Sequence, residues 1–404
     1  MPIAAVFSHA TSSEAAERRA RPEAARAFAS VAVVDDIEAA RDAWAEIAPL
    51  AAASPYQSFD FARLWLATVG AARGVAPLIV VARDAAGAAA ALLPFGARAV
   101  GPLRLASFLG GKDANFNLGL FRQGAVWTPQ DLAALLTTAA RAATPRVDAF
   151  LFVNQPADWQ GAPNPLAALS HQPSPSFAYK SALPCDFAAW LNAHASKDAQ
   201  KKLRKKAKRL EAIGPLAHRR AADASEADRL LAAFFAQKSA RMRALGVADA
   251  YAAPEARAFL SALAHCGLEA GAPRLELHGL YAGDRVAATF GALAAGDRLS
   301  GLFLSNDGDG EIARSSPGEL IVHAVVRDAI TRGFATFDLG VGEARYKNEA
   351  CEAEERLFDG AFAATWLGRA AAQAFLIRQR LKGCVKQSPQ SLALLRHLCV
   401  MFSL

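Results

Sequence analysis

The sequence predicts an α/β protein of the α+β type, with two tandem lobes that each hold a mixed, mostly antiparallel sheet flanked by helices. The chain has 404 residues, more than the roughly 250–300 residues at which one hydrophobic core stops growing. Strand-type and helix-type patterns alternate through both halves. In the second half, three strand-type runs precede a helix and a further strand, an order typical of layered α/β folds.

The first half begins with residues 1–28, which carry mixed charges before any apolar run and are predicted to be a mobile tail. Residues 78–83 and 88–95 flank a turn that contains Gly87, which predicts a β-hairpin. The other elements predicted in this half are strands at 30–34, 103–109 and 148–153, and helices at 37–48, 59–70 and 129–143.

The second half contains the clearest sheet signal. Residues 274–281, 285–294 and 298–305 are apolar runs separated by short glycine-bearing turns, which predicts an antiparallel meander. The other elements predicted here are helices at 199–213, 225–245, 254–270 and 317–332, and strands at 215–220, 336–339 and 354–364.

Proline spacing suggests where the lobes divide. Pro163, Pro165, Pro173 and Pro175 form the best candidate linker. The predicted division is a first lobe at residues 29–182, a second at 183–365 and a C-terminal helical extension at 366–404.

Several classes of protein lose support from missing motifs. No apolar run reaches the roughly 18–20 residues that a membrane span needs, so the protein is expected to be cytoplasmic, with peripheral attachment to the inner membrane left open. The cysteine and histidine spacings match no metal site, and no metal is expected. The glycine-rich nucleotide motifs and the serine hydrolase elbow are also missing, which disfavours dehydrogenases, P-loop NTPases and α/β-hydrolases.

The formal net charge is +7, and much of it lies in one predicted helix. Such a run is either a solvent-exposed face or a contact for an anionic acceptor or membrane surface. Nucleic acid is disfavoured because no aromatic residues are interleaved for stacking. The basic residues of the run are Lys197, Lys201, Lys202, Arg204, Lys205, Lys206, Lys208 and Arg209.

A candidate anion site follows the meander. In the segment 314–319, Ser316 is a good N-cap, Pro317 suits the first helical position, and Glu319 completes a capping box. The free amides and positive dipole at such a helix start favour a phosphate. A well-capped helix without a ligand is the alternative. The residues predicted to hold donor phosphates are Arg314, Ser315, Ser316 and Gly318.

A second candidate segment runs from Phe337 to Lys347. A strand ends near Asp338, two glycines permit a tight turn, and polar residues follow. Tyr346 is a candidate proton donor, and Lys347 a candidate for stabilising an oxyanion. A solvated loop is the alternative. Lys238, Arg241 and Arg243 cluster near the end of an amphipathic helix, where a surface role is expected and contact with an anionic acceptor is the alternative.

These residues resemble a known family. Pro55-Tyr56-Gln57-Ser58, Phe108-Leu109-Gly110, Ser316-Pro317-Gly318 and Phe337-Asp338-Leu339-Gly340 with Tyr346-Lys347 occur in an order similar to the acetyltransferase-like proteins of the cellulose biosynthesis protein D type. Those proteins are similar to the GNAT superfamily and to FemAB-type aminoacyltransferases. The resemblance implies two GNAT-like lobes and an acyl-CoA co-substrate at the second lobe's helix start. It also implies transfer to an amine or hydroxyl. We predict Lys347, Tyr346 and Asp338, all in the second candidate segment, as the catalytic residues.

Three functions follow as hypotheses. The leading one is transfer of an acetyl or other acyl group from acyl-CoA to a small-molecule or saccharide acceptor in polysaccharide or cell-envelope metabolism. The second is FemAB-like transfer from aminoacyl-tRNA. The third is a non-catalytic accessory protein of exopolysaccharide synthesis that binds a membrane-associated polysaccharide synthase. The pyrophosphate loop of acetyltransferases is only partly matched, because Pro317 and Glu319 stand where small residues belong.

Overall fold

The computed structural model describes residues 26–342 and 345–387. Their strands are β1 Ser30–Val34, β2 Ala76–Arg83, β3 Ala89–Val100, β4 Leu103–Phe108, β5 Leu120–Phe121, β6 Ala149–Pro156, β7 Asp158–Trp159, β8 Ala162–Pro163, β9 His171–Pro173, β10 Ala178–Ala182, β11 Leu216–Arg220, β12 Glu276–Ala282, β13 Arg285–Ala295, β14 Arg298–Asn306, β15 Thr336–Val341, β16 Ala353–Glu355 and β17 Leu357–Ala363. Their helices are α1 Arg41–Ile47, α2 Phe59–Trp65, α3 Pro129–Ala142, α4 Phe187–His194, α5 Lys197–Glu211, α6 Ala224–Ala244, α7 Pro254–His265, α8 Gly310–Ala313, α9 Pro317–Thr331, α10 Arg345–Ala350 and α11 Trp366–Gln387.

The strands form two large sheets with the same internal plan. The first sheet has the order β1-β2-β3-β4-β6-β17-β9, and the second has the order β11-β12-β13-β14-β15-β10-β16. Each contains one parallel pair, β4 with β6 and β14 with β15, and the long helix between those strands is α3 in one sheet and α9 in the other. The predicted mixed α/β fold and the antiparallel meander of β12, β13 and β14 are therefore confirmed.

The chain does not divide cleanly at the predicted linker. Strand β10, at the end of the predicted first lobe, pairs with β15 and β16 of the second sheet. Strand β17, assigned from sequence to the second lobe, pairs with β6 and β9 of the first sheet. Each sheet thus borrows a strand from the other half of the chain. The proline-rich segment is not a free linker either, because it contains β8 and β9.

The described residues nearest to the two ends of the chain belong to the first lobe. Phe28, assigned to the mobile tail, is buried and stacks on Trp127 with ring centroids 5.9 Å apart. Residues 1–25 of that tail and 388–404 of the C-terminal extension lie outside the described residues. Helix α11 packs on β17 and β6, so the described part of the extension belongs to the first lobe.

Candidate functional site

The sheet opens between the two parallel strands of the second lobe. Strand β14 pairs with β15 only from Arg298 to Ser300, opposite Thr336 to Asp338, although both strands continue further. Beyond these pairs, the two strands separate by enough to admit a side chain. The C-terminal halves of β14 and β15 therefore form the walls of an opening.

The base of this opening is filled by Asn115 from the first lobe. Its amide nitrogen donates to the carbonyl of Gly301 at 3.0 Å and to the hydroxyl of Tyr56 at 2.8 Å. Its amide oxygen accepts from the backbone nitrogen of Val341 at 3.2 Å. Gly340 has a φ of +65° and lies so close that a Cβ atom there would be 2.2 Å from the Asn115 amide nitrogen. The Asn115 side chain thus bridges β14 and β15 where the two strands no longer form hydrogen bonds with each other.

A cavity of about 130 Å³ lies at this opening. Two of the predicted catalytic residues line it. Burial raises the pKa of Tyr346 to about 12, so its hydroxyl keeps its proton at neutral pH. The ammonium of Lys347 donates to the carbonyls of Gly340 and Val341, at 3.1 and 3.0 Å, at the end of β15. The lining residues are Asn115, Lys238, Tyr251, Phe290, Gly301, Leu302, Phe303, Leu304, Leu339, Val341, Tyr346 and Lys347.

Lys238 is a site residue that the sequence reasoning placed at the surface. It lies on α6 and lines the cavity half-buried, where burial and the charge of Arg241 lower its pKa. A helical signal existed, because Lys238 follows the buried Leu231 and Phe234 at intervals of seven and four residues. The position of a lysine on the buried side of a helix is a better indication of function than the positive charge of its side chain.

The third predicted catalytic residue, Asp338, does not line the cavity. Its carboxylate is fully buried and accepts hydrogen bonds from Arg298 Nε at 2.7 Å, Ser300 Oγ at 2.6 Å and the Gly340 amide at 3.0 Å. Arg298 also donates to Glu355 at 2.6 Å, and its guanidinium carbon lies 4.0 Å from the ring centre of Trp159. In this geometry Asp338 fixes β15 where it leaves β14.

The start of α9 differs from the predicted capping box. Ser316 has left-handed backbone angles and its side chain caps no amide. Glu319 does not reach back to the cap, because its carboxylate pairs with Lys206 of α5. The amides of Glu319 and Leu320 bond to the Ser316 carbonyl at 3.0 and 3.3 Å. Within the described residues, the amide of Gly318 is the first-turn donor left without an acceptor.

Basic groups surround this helix start. Arg209 donates to the Arg314 carbonyl at 2.9 Å, and the side chain of Arg314 is exposed. Ser315, by contrast, is fully buried, with its hydroxyl directed to the Glu311 carbonyl at 3.4 Å. The structure therefore leaves Arg314 exposed and Ser316 and Gly318 partly exposed, whereas Ser315 is buried.

The helix start and the cavity are neighbours. A Cβ atom on Gly318 would lie 3.3 Å from Leu304, which lines the cavity, and 3.5 Å from the side-chain oxygen of Asn306. An extended ligand can therefore place an anionic group at the helix start and its opposite end between β14 and β15.

The matching helix of the first lobe is closed to anions. Helix α3 also begins with a proline, but Thr128 Oγ1 accepts from the Asp131 amide at 3.1 Å, and Asp131 accepts from the Thr128 amide at 3.1 Å. This complete capping box places a carboxylate at the helix start. A larger open cavity of about 570 Å³ is lined by Ala52 and by parts of residues 118–127 and 159–165, and it shares no lining residue with the opening between β14 and β15. We place the candidate site in the smaller cavity because only that one adjoins an uncapped helix start.

Among the described residues, no group of three or more potential ligands is placed to hold a metal ion, and no helix is long and apolar enough to cross a membrane.

Comparison with known proteins identifies the second lobe. Residues 197–348 match the model of the acetyltransferase (GNAT) domain. Among solved structures, FemX is similar with a TM-score of 0.56 and 11% identity, over 86% of this chain and 99% of FemX. A conserved protein of unknown function from Bacteroides thetaiotaomicron is similar with a TM-score of 0.51 and 9% identity, over 82% of this chain and 99% of that protein. No curated protein gives a significant match.

The two structural likenesses show the fold, and the family match covers α5 to α10 with the cavity and the uncapped helix start. Residues 197–348 of this chain thus match an acetyltransferase (GNAT) domain, and the protein is an acyltransferase.

Proposed function

We propose that the protein transfers an acyl group from acyl-CoA to an amine or hydroxyl acceptor in the opening between β14 and β15. The observation that carries this proposal is the proximity of the cavity to the uncapped start of α9, because Gly318 lies beside Leu304 of the cavity wall. A thioester in the opening and phosphates at the helix start suit a ligand with one reactive end and one anionic end.

The donor's phosphates would contact the amide of Gly318 and the exposed side chain of Arg314. Lys206 and Arg209 add positive charge from α5, while Glu319 opposes the phosphates with a negative charge. The net balance of three cations to one carboxylate favours an anionic ligand.

In the opening, the acceptor's nitrogen or oxygen attacks the thioester carbonyl and loses a proton. The carbon–sulfur bond breaks as the new carbon–nitrogen or carbon–oxygen bond forms, and the departing thiolate takes up a proton. Tyr346 suits the donation of that proton, since its pKa of about 12 keeps the hydroxyl protonated. Solvent takes up the acceptor's proton, and the Lys238 ammonium, which lines the same cavity, would stabilise the negative charge that develops on the thioester oxygen. Backbone amides of β14 would polarise the carbonyl.

Calorimetric titration with acetyl-CoA tests the donor site. Arg314→Ala is expected to weaken binding about tenfold, the effect of losing one charge-assisted hydrogen bond. Glu319→Gln is expected to tighten binding about two- to fivefold, because it removes a repelling charge and releases Lys206. Arg141→Ala, at an exposed arginine on α3, is the matched control and should change nothing. Absence of binding to several acyl-CoAs would contradict the proposal.

Turnover separates binding from chemistry. Tyr346→Phe is expected to lower kcat about a hundredfold while acetyl-CoA binds as before, because the phenyl ring keeps the packing and loses only the proton donor. Acyl-CoA binding without turnover on any amine or hydroxyl acceptor would favour the accessory role over the transferase.

A second donor is supported by a specific observation. Helix α5 runs beside the helix start and exposes most of its basic side chains, and Glu319 is the carboxylate paired with it among the described residues. This surface could carry an aminoacyl-tRNA with its acyl end in the opening. Filter binding of charged tRNA with a steep salt slope, together with no binding of acyl-CoA, would favour this donor.

For the acceptor, we propose a saccharide in exopolysaccharide or cell-envelope metabolism, on the resemblance to the cellulose biosynthesis protein D type alone. Its test is a screen of amino sugars and neutral sugars with labelled acetyl-CoA. Transfer to the sugars at the background rate would remove this assignment without affecting the donor.

A further inference from the structure

Helix α11 carries an apolar stripe on its outer face. Within its 22 residues, Trp366, Ile377 and Leu381 are exposed to 81%, 58% and 61%. At 100° per residue these three side chains point to one side, with Ala370 and Ala374 between them. The stripe therefore runs along most of a helix about 30 Å long.

Cations flank this stripe on both sides. Arg369 and Arg380 lie along one edge, and Arg378 and the half-buried Lys382 lie along the other. The sequence of α11 contains no acidic residue. An apolar stripe with basic borders and an exposed tryptophan near one end is typical of helices that lie in the plane of a membrane interface.

The opposite face of the helix is held firmly by the first lobe. The side chain of Gln172 donates to the Leu376 carbonyl at 2.7 Å, and Lys386 donates to Ser176 at 2.6 Å. At Gly368, an added Cβ atom would lie 1.9 Å from the Asp148 carbonyl, so the helix touches the sheet backbone. The stripe is thus presented outward on a fixed support.

Two kinds of occupant suit such a stripe, and the charges distinguish them. A second copy packed α11 to α11 in a symmetric dimer would bring like charges from the borders together, with no carboxylate on either helix to offset them. An anionic bilayer accepts the apolar stripe between its acyl chains and pairs its headgroups with the bordering cations.

We propose that the outer face of α11 binds an anionic lipid bilayer, with the apolar stripe inserted at the interface. This inference is independent of the proposed acyl donor. It assigns the surface of the first lobe that would face the membrane.

The chain contains its own reporter for this contact. Five of its tryptophans are buried, namely Trp44, Trp65, Trp127, Trp159 and Trp190, whereas Trp366 is exposed. On addition of vesicles of phosphatidylglycerol and phosphatidylcholine, the fluorescence emission of Trp366 should shift to the blue. The full-length protein should also sediment with the vesicles. Vesicles of phosphatidylcholine alone should give little of either. Trp366→Phe should remove the shift and keep most of the sedimentation.

Paired variants test the two parts of the surface. Ile377→Gln with Leu381→Gln should weaken vesicle binding at least about tenfold. Arg378→Gln with Arg380→Gln should weaken vesicle binding about fivefold for each cation removed, and this effect should be smaller at high salt. Val126→Gln, at an apolar side chain exposed to 82%, and Lys201→Gln with Lys205→Gln on α5 are the matched controls and should leave binding unchanged.

Three results in the vesicle assay would overturn the proposal. These are no sedimentation with anionic vesicles, binding that survives the Ile377 and Leu381 substitutions, and binding lost only in the α5 variant. Sedimentation velocity without vesicles tests whether a second copy of the chain covers the stripe instead. A dimer that the Ile377 and Leu381 substitutions abolish would assign the stripe to that second copy.

Discussion

Replacing Gly340 by alanine tests whether Asn115 holds the opening between β14 and β15. The new methyl group would lie 2.2 to 2.8 Å from the amide atoms of Asn115, so that side chain must leave. Its hydrogen bonds to Gly301, Val341 and Tyr56 contribute about 1 kcal/mol each. The left-handed backbone adds about 1–2 kcal/mol. We expect Gly340→Ala to lower the free energy of unfolding by about 3–5 kcal/mol.

Gly74 provides the matched control. Its φ is +62°, against +65° at Gly340, and no atom lies within 4 Å of an added Cβ. Gly74→Ala therefore carries the backbone strain without the collision, and we expect a loss of about 1–2 kcal/mol. The difference between the two variants measures the displacement of Asn115.

Urea denaturation of both variants, of Asn115→Ala and of the double variant Asn115→Ala/Gly340→Ala completes the experiment. With the amide removed, the methyl group has space, so the double variant should lose about 2–3 kcal/mol less than the sum of the two single losses. Equal losses for Gly340→Ala and Gly74→Ala, or additive losses in the double variant, would refute the role of Asn115.

Two further predictions concern buried charges. Arg298→Leu leaves the carboxylates of Asp338 and Glu355 without their buried partner, so urea denaturation should show a free energy of unfolding that is about 3–5 kcal/mol lower. A decrease below about 1 kcal/mol would contradict this account. Burial raises the pKa of Glu276, but the nearby His278 ring, 3.6 Å away, and the two hydrogen bonds that Arg332 donates at 2.6 Å outweigh it and lower that pKa to about 2. Because the unfolded chain binds this proton near pH 4.3, the stability present above that pH, about 3 kcal/mol, is lost as the pH falls towards 2. Glu276→Gln should flatten this decline in urea titrations between pH 5 and 2, and an unchanged slope would assign the decline to other groups.

Local patterns predicted most of the secondary structure. The meander of β12, β13 and β14 follows from apolar runs separated by tight turns at Gly283 and Gly296, both of which have positive φ. The exchange of β10 and β17 between the sheets was not predictable in this way. Both strands have ordinary strand patterns, and their partners are chosen by contacts far away in the sequence.

The candidate site was predicted in part. Tyr346 and Lys347 line the cavity, as their place after β15 suggested, whereas Asp338 follows the same rule and is buried under Arg298. The spacing of Ser316 and Glu319 fits a capping box, but the amides of Ser315 and Ser316 bond back to α8, and Lys206 holds Glu319. Such competition between partners is invisible in a short motif. No periodic signal marks Asn115, because it lies in an irregular loop.

The exchanged strands also set the order in which the chain can fold during synthesis. The first sheet lacks β17 until the ribosome has made nearly the whole second lobe, so β6 emerges with one edge unpaired. An N-terminal fragment ending near residue 182 would keep that edge open and would carry β10 without its own sheet. Domains usually fold one after another as they leave the ribosome. Here each sheet needs a strand from the other half of the chain, so we expect the two halves to fold together. A protein truncated near residue 182 is therefore expected to aggregate.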